Sequence, residues 1–155
     1  MTILSTLLRA TALGVFFTIL STQGALAGDI EIVRPYARTS GANAKSGAMF
    51  LLIVNHGASA DRLLSVRTDV AKKAMLHTNI EDENGVMKMR PLPDGIEIPA
   101  GAEHRLKRGG DHVMLMGIGD PLADGDRLSV TLVFENAGEI AISVPVDQAR
   151  KPASD

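Results

Sequence analysis

The stretch LSVTLVFENAGEIAISVPV, residues 128–146, decides the fold class. Large apolar side chains alternate with polar or smaller ones on both sides of the turn residues 136–138. The apolar positions are Leu128, Val130, Leu132, Phe134, Ile140, Ile142, Val144 and Val146. A period of two is typical of strands that bury one face. The stretch therefore predicts two β-strands that each contribute one face to a hydrophobic core.

Short runs with the same chemistry recur through the rest of the chain, and no long segment has a helical period. Glycine, proline, asparagine and aspartate punctuate them at close intervals. The predicted strands cover residues 30–36, 47–55, 62–68, 73–80, 85–91, 96–98, 104–106 and 112–118. Asn84-Gly85 predicts a hairpin turn, and residues 68–73 are predicted to hold one helical turn. The sequence thus predicts an all-β sandwich.

The first 27 residues have the pattern of a cleaved secretory signal peptide. Arg9 precedes an apolar stretch over residues 10–20, and Ala25 and Ala27 fit an A-x-A cleavage site. The apolar stretch is shorter than the ~20 residues of a transmembrane helix; an uncleaved anchor remains the alternative. We expect a periplasmic protein without a membrane span after cleavage, comprising one domain over residues 28–148 and a polar tail over residues 149–155.

Composition excludes several classes of function. Loss of Arg9 reduces the 16 lysines and arginines to 15, against 18 aspartates and glutamates. A nucleic-acid partner is not expected, because such proteins carry a basic stripe and stacking aromatic residues. The chain has no cysteine, which excludes thiolate nucleophiles, cysteine-based zinc sites and the blue-copper type of electron-transfer site.

The candidate metal ligands are found among seven methionines and four histidines. Alternation along a strand places His112 and Met114 on one face, and it places Met87 and Met89 together on one face of another strand. His77 lies near the end of the strand predicted to pair with residues 85–91. These donors can converge if the strand ends that carry His77 and His112 meet at one rim of the sandwich.

This donor set indicates Cu(I), because thioether sulfur is a soft, neutral ligand and a poor one for Zn(II), Mg(II) or Ca(II). Methionine is also a common filler of irregular cores, so the pattern alone leaves metal binding and packing equally open. Packing is the preferred interpretation for Met49, Met75 and Met116. His56 and His104 are interpreted as exposed histidines in surface turns.

Several short motifs along the mature chain are specific when taken together. They are Arg34-Pro35-Tyr36-Ala37-Arg38, Asn55-His56-Gly57, Ala60-Asp61-Arg62-Leu63, Leu76-His77, GVMKMR at 85–90, IPAG at 98–101 and GGDHVMLMG at 109–117. With these motifs the chain resembles the periplasmic PCu(A)C-type copper chaperones. The ligand pattern of that family falls here on His77, Met89, His112 and Met114. The loop that joins His77 to Met89 is one residue longer than the family pattern, so Met87 stays the alternative to Met89.

The resemblance implies a cupredoxin-like Greek-key β-sandwich that binds Cu(I) and is not an enzyme. It implies delivery of copper by ligand exchange toward the copper centre of cytochrome c oxidase, with an oxidase subunit or another periplasmic copper chaperone as the acceptor. Two other functions stay open. Copper sequestration for resistance would use the same site, whereas a metal-free adhesion or assembly module predicts that His77 and His112 lie apart.

Overall fold

The computed structural model describes residues 28–41 and 43–151, and the secondary structure of this part consists of strands. The ten strands are β1 (Ile30–Thr39), β2 (Ser46–Asn55), β3 (Asp61–Thr68), β4 (Ala71–Glu81), β5 (Met87–Pro91), β6 (Ile96–Ile98), β7 (Glu103–Leu106), β8 (His112–Ile118), β9 (Arg127–Phe134) and β10 (Glu139–Pro145). The predicted signal peptide, residues 1–27, lies outside the described residues. Within the described ranges, no helix is long and apolar enough to cross a bilayer.

The strands form two sheets, which confirms the prediction of a single all-β domain. One sheet has the order β1-β2-β8-β4-β5, with β7 pairing further along β2, and the other has the order β10-β9-β3-β6. All pairs within the sheets are antiparallel. β2 contacts β1 on one side and both β7 and β8 on the other, as expected for a central strand.

The hydrophobic core lies between the two sheets and follows the predicted alternation. Leu128, Val130, Leu132 and Phe134 of β9 are all buried, and Val144 of β10 packs with them. From the six-stranded sheet, alternate residues of β2 and β8 enter the same core. They are Met49, Leu51, Ile53, Val113 and Leu115. Because successive side chains point to opposite faces, the intervening residues of these strands occupy the outer face of the six-stranded sheet.

The helical turn predicted over residues 68–73 is wrong. β3 continues to Thr68 and β4 begins at Ala71, so only two residues connect the strands. The Thr68 hydroxyl donates a hydrogen bond to the Ser129 carbonyl at 2.9 Å and accepts one from the Val70 amide at 3.4 Å. These bonds satisfy the backbone at the connection without a helical turn.

The segment that follows β10 is held against β1. Gln148 accepts a hydrogen bond from the Thr39 amide at 3.0 Å and donates one to the Thr39 hydroxyl at 2.8 Å. The guanidinium carbon of Arg150 lies 4.3 Å from the centre of the Tyr36 ring. The contacts between this segment and β1 therefore extend to Arg150. The segment covers the Tyr36 ring on the outer face of the six-stranded sheet.

Candidate metal centre

The register of β4 against β8 brings two histidines together on the outer face of the six-stranded sheet. His77 lies directly opposite His112, and Met75 lies directly opposite Met114. The two imidazole rings are stacked, with centroids 6.1 Å apart and an angle of 23° between their planes. The sequence analysis made convergence depend on the strand ends of His77 and His112 meeting at one rim of the sandwich, and the two residues are direct neighbours within one sheet.

Both imidazoles use the same nitrogen to contact the backbone. Nδ1 of His112 lies 2.9 Å from the Gly110 carbonyl oxygen, and Nδ1 of His77 lies 3.3 Å from the Met75 carbonyl oxygen. A carbonyl only accepts, so these contacts place the ring proton of each histidine on Nδ1. Each Nε2 then carries the lone pair that a metal ion requires, an orientation typical of metal-binding histidines.

Two methionines border the same surface pocket as His112. Met114 follows His112 by two residues on β8, and Met89 reaches the pocket from β5, where its backbone pairs with Asn79. Met87 pairs with Glu81, two residues closer to the turn, and is not among the described residues that line this pocket. The geometry therefore favours Met89 over Met87 as the thioether that β5 contributes to the pocket of His112.

The donors differ in their exposure to solvent. His112 is 3% exposed, Met114 and His77 are partly buried, and Met89 is 49% exposed. The pocket thus has a buried imidazole at its base and a thioether at its open edge.

An aromatic wall supports the buried histidine, and sequence reasoning did not identify its role. The Phe50 ring lies 6.3 Å from the His112 ring, and the Tyr36 ring lies 5.1 Å from Phe50. Both aromatic residues are nearly inaccessible although they lie on the outer face of the sheet. The available signal was the alternation along β2, which places Phe50 on the face opposite to the core residues Met49 and Leu51.

The predictions of packing or exposure for the other methionines and histidines are partly confirmed and partly wrong. Packing is confirmed for Met49, which is fully buried. For Met75 it is wrong, because the side chain is 37% exposed beside the histidine pair. His56 is exposed as predicted and contacts Glu31. His104 lies in β7, in agreement with the strand predicted over residues 104–106, and it is partly buried, so its interpretation as an exposed histidine in a surface turn is wrong.

His104 is partly buried in β7 because its ring has a specific partner. Nε2 of His104 lies 2.9 Å from a carboxylate oxygen of Asp111, the residue that precedes His112.

Met116 is partly buried on the outer face, opposite Lys73.

The donor chemistry of the site fits a soft monovalent cation. Imidazole and thioether ligands are neutral, and the described residues that line the pocket include no carboxylate. Across residues 28–41 and 43–151, no three side chains of histidine, aspartate or glutamate converge. A site for Mg(II) or Ca(II) would need several oxygen ligands, whereas a mixed imidazole and thioether site suits Cu(I).

The hairpin between β4 and β5 positions Met89, and Asp82 organises its turn. One carboxylate oxygen of Asp82 accepts hydrogen bonds from the Asn84 and Val86 amides at 2.9 and 3.0 Å. The other oxygen contacts the Lys88 ammonium at 2.7 Å. Lys88 and these two amides lower the pKa of Asp82 below its ordinary value.

The contribution of Asp82 to the turn should be lost in acid. Because the folded-state pKa is lowered, this stabilisation is fully present above the ordinary pKa of 3.8 and disappears as pH falls through the lowered value. Asp82→Ala should remove it at every pH and accelerate amide exchange at Asn84 and Val86 severalfold. Unchanged exchange of both amides, measured by NMR at neutral pH against Glu83→Ala as the control, would contradict this role.

Comparison with known proteins places the chain in a family. Residues 30–146 match the model of the family described as "Putative lipoprotein LpqE-like". The chain belongs to the LpqE-like family. It is 30% identical over 125 residues to "Putative lipoprotein Lxx21020" from Leifsonia xyli subsp. xyli, an alignment that covers 81% of this chain and 74% of that protein.

Solved structures similar to this LpqE-like chain include PCuAC domains, in agreement with the resemblance found in the sequence. The copper-bound PCuAC domain from PmoF2 has a TM-score of 0.64 and 27% identity, covering 78% of this chain and 94% of that domain. The Cu(I) form of DR1885 from Deinococcus radiodurans has a TM-score of 0.62 and 26% identity, covering 84% of this chain and 87% of that protein. The LpqE-like chain therefore shares the fold of proteins whose structures contain copper.

Proposed function

We propose that this protein is a Cu(I) metallochaperone that binds one ion through His77, Met89, His112 and Met114. The observation that carries the proposal is the direct pairing of His77 with His112, each with Nδ1 at a carbonyl and Nε2 available. Two thioethers border the same pocket as His112. The Cu(I)-bound state of a similar structure supports the choice of metal.

The difference in solvent exposure between His112 and Met89 suggests how the ion leaves the site. His112 is held by the Gly110 carbonyl and the aromatic wall, so it stays in place as an anchor. Met89 lies on an exposed strand at the open edge and has a flexible side chain. A donor atom from an acceptor protein can replace the Met89 sulfur first, and the remaining ligands then exchange in turn. No covalent bond of a substrate is broken in this process.

The destination of the copper is proposed from the resemblance to the PCu(A)C-type copper chaperones. The signal-peptide pattern of residues 1–27 and the lipoprotein name of the Leifsonia relative support an exported protein. We assign it to the periplasm, with delivery toward the copper centre of cytochrome c oxidase, directly to an oxidase subunit or through another copper chaperone. A pull-down of the copper-loaded chain against an oxidase copper-binding domain, with transfer followed spectroscopically, tests the acceptor.

Anaerobic titration with Cu(I) against a chromophoric chelator tests copper binding itself. The mature chain, residues 28–155, should withdraw one equivalent of Cu(I) from the chelator. X-ray absorption of the complex should show both nitrogen and sulfur neighbours of copper. Failure of the wild-type chain to compete for Cu(I) would remove the proposed function.

Substitution of each of the two methionines of β5 tests which of them binds the ion. Met89→Leu should weaken Cu(I) binding about tenfold or more, because it removes one thioether while keeping a similar volume. Met87→Leu is the matched control and should leave the affinity within about twofold, because Met87 does not border the pocket. The reverse order of the two effects would transfer the ligand role to Met87.

A further inference from the structure

A short loop, residues 107–111, lies directly before the buried ligand His112. β7 and β8 pair with the same side of β2, β7 as far as Leu51 and β8 from Met49 onward. Only one residue of β2 separates these partners, whereas β7 and β8 are joined by the five residues of the loop. The chain therefore leaves the side of β2 and returns to it at His112. The closure of the loop determines where this imidazole enters the sheet.

Two backbone hydrogen bonds close the 107–111 loop. The Lys107 amide donates to the Asp111 carbonyl at 2.8 Å, and the Gly110 amide donates to the Lys107 carbonyl at 3.1 Å. Gly109 has a φ of 78°, which a glycine adopts without steric cost. The loop is thus a compact turn whose last residue, Asp111, is bonded to its first.

A side-chain contact connects the same residue to β7. Nε2 of His104 lies 2.9 Å from a carboxylate oxygen of Asp111, and the two side chains are 30% and 25% exposed. A carboxylate only accepts, so Nε2 of His104 donates. His104 itself pairs with Ile53 of the central strand β2. Asp111 is therefore held through its carbonyl by the loop and through its carboxylate by the sheet.

The position of Asp111 controls the carbonyl that His112 contacts. The Gly110 carbonyl and the Asp111 amide belong to one planar peptide group, so fixing Asp111 also fixes the direction of that carbonyl. The carbonyl oxygen lies 2.9 Å from Nδ1 of His112. It keeps the ring proton on Nδ1 and leaves Nε2 with the lone pair that a metal ion requires.

We propose that the contact between His104 and Asp111 positions His112 for copper binding, an inference that rests on the proposed function. Both residues act through the Gly110 carbonyl and do not bind copper themselves, so they are positioning residues. The contact holds the buried imidazole in the tautomer and orientation that copper needs before the ion arrives. Copper binding then requires no rearrangement at the base of the pocket.

His104→Leu tests this role because it removes the donor to Asp111. The Cu(I) affinity should fall about 3- to 10-fold, less than the 10- to 100-fold typical of losing a direct partner of a metal ligand. In the copper-free chain, the imidazole nitrogen chemical shifts of His112 should move from the Nδ1–H form toward a mixture of tautomers, while those of His77 stay unchanged. A loss of stability alone would not produce a change confined to one ring.

Three further variants separate the hydrogen bond from other effects. His104→Gln keeps an Nε2 donor at a similar reach and should retain the Cu(I) affinity within about twofold. Asp111→Ala removes the acceptor instead, and it serves if His104→Leu does not fold. The double variant His104→Leu/Asp111→Ala should lose no more affinity than the more affected single variant, because both changes break the same contact.

His56→Leu is the matched control. His56 contacts a carboxylate oxygen of Glu31 at 2.7 Å, so the chain contains a second pair of this kind. His56 follows the end of β2, six residues beyond Phe50, which corresponds to about 20 Å along a strand. This variant should keep both the Cu(I) affinity and the tautomer of His112.

The outcomes distinguish this inference from the proposed function. If folded His104→Leu or Asp111→Ala binds Cu(I) one to one with the wild-type affinity, the positioning role is wrong and the chaperone function stands. An equal loss in His104→Gln or in His56→Leu would also overturn it, because the effect would then not depend on the hydrogen bond to Asp111. If wild type binds no Cu(I), both proposals fail together.

Discussion

His112→Ala should lower the Cu(I) affinity of the mature chain by at least about 100-fold. Loss of a residue that only orients a metal ligand already costs about 10- to 100-fold in affinity, and His112 is proposed to bind the ion directly. Its ring is buried, its Nδ1 contacts the Gly110 carbonyl, and it is stacked with His77. Removal of this imidazole eliminates the ligand at the base of the pocket, and water that enters the cavity is a poor Cu(I) ligand.

Competition titration with a Cu(I) chelator measures the effect, and circular dichroism shows whether the variant is folded. His56→Ala is the matched control, because His56 is an exposed histidine that pairs with Glu31. It should retain the wild-type affinity. A folded His112→Ala chain that binds Cu(I) within about threefold of wild type would contradict the assignment of His112 as a ligand.

Much of the fold is determined by local patterns that the sequence shows directly. The alternation of residues 128–134 and 140–146 predicts two strands with one buried face, and the structure contains both. The same alternation over HVMLM places His112 and Met114 on the face opposite to Val113 and Leu115. Such assignments need only the two-residue period of a strand, so they precede any knowledge of tertiary structure.

The relations between distant strands could not be obtained in this way. The pairing of His77 with His112 depends on the register of β4 against β8, which the packing of both sheets sets. The same register places Met75 opposite Met114, so that a methionine interpreted as core is exposed beside the site. Arg108 lines the same pocket and lies near the rings of Tyr36 and Phe50, although it is far from both residues in sequence.

Leu115→Ala should lower the free energy of unfolding of the copper-free chain by about 3 kcal/mol, within the 2–5 kcal/mol typical of large-to-alanine changes in a core. Leu115 is fully buried and belongs to the main core cluster between the sheets. The truncation removes buried apolar surface and leaves a cavity that the surrounding strands fill only partly. Urea denaturation of the copper-free chain measures this change without the added stabilisation that a bound ligand provides.

The neighbouring Met114 gives the converse experiment on the same strand. Met114→Leu replaces the thioether with a side chain of similar volume on the outer face, so stability should change by less than about 1.5 kcal/mol. The Cu(I) affinity should nevertheless fall about tenfold or more, because a ligand is lost. Folded Leu115→Ala should bind copper with nearly wild-type affinity, since Leu115 points away from the site. If Leu115→Ala weakened copper binding as strongly as Met114→Leu, the two faces of β8 would not have the separate structural and metal-binding roles assigned to them.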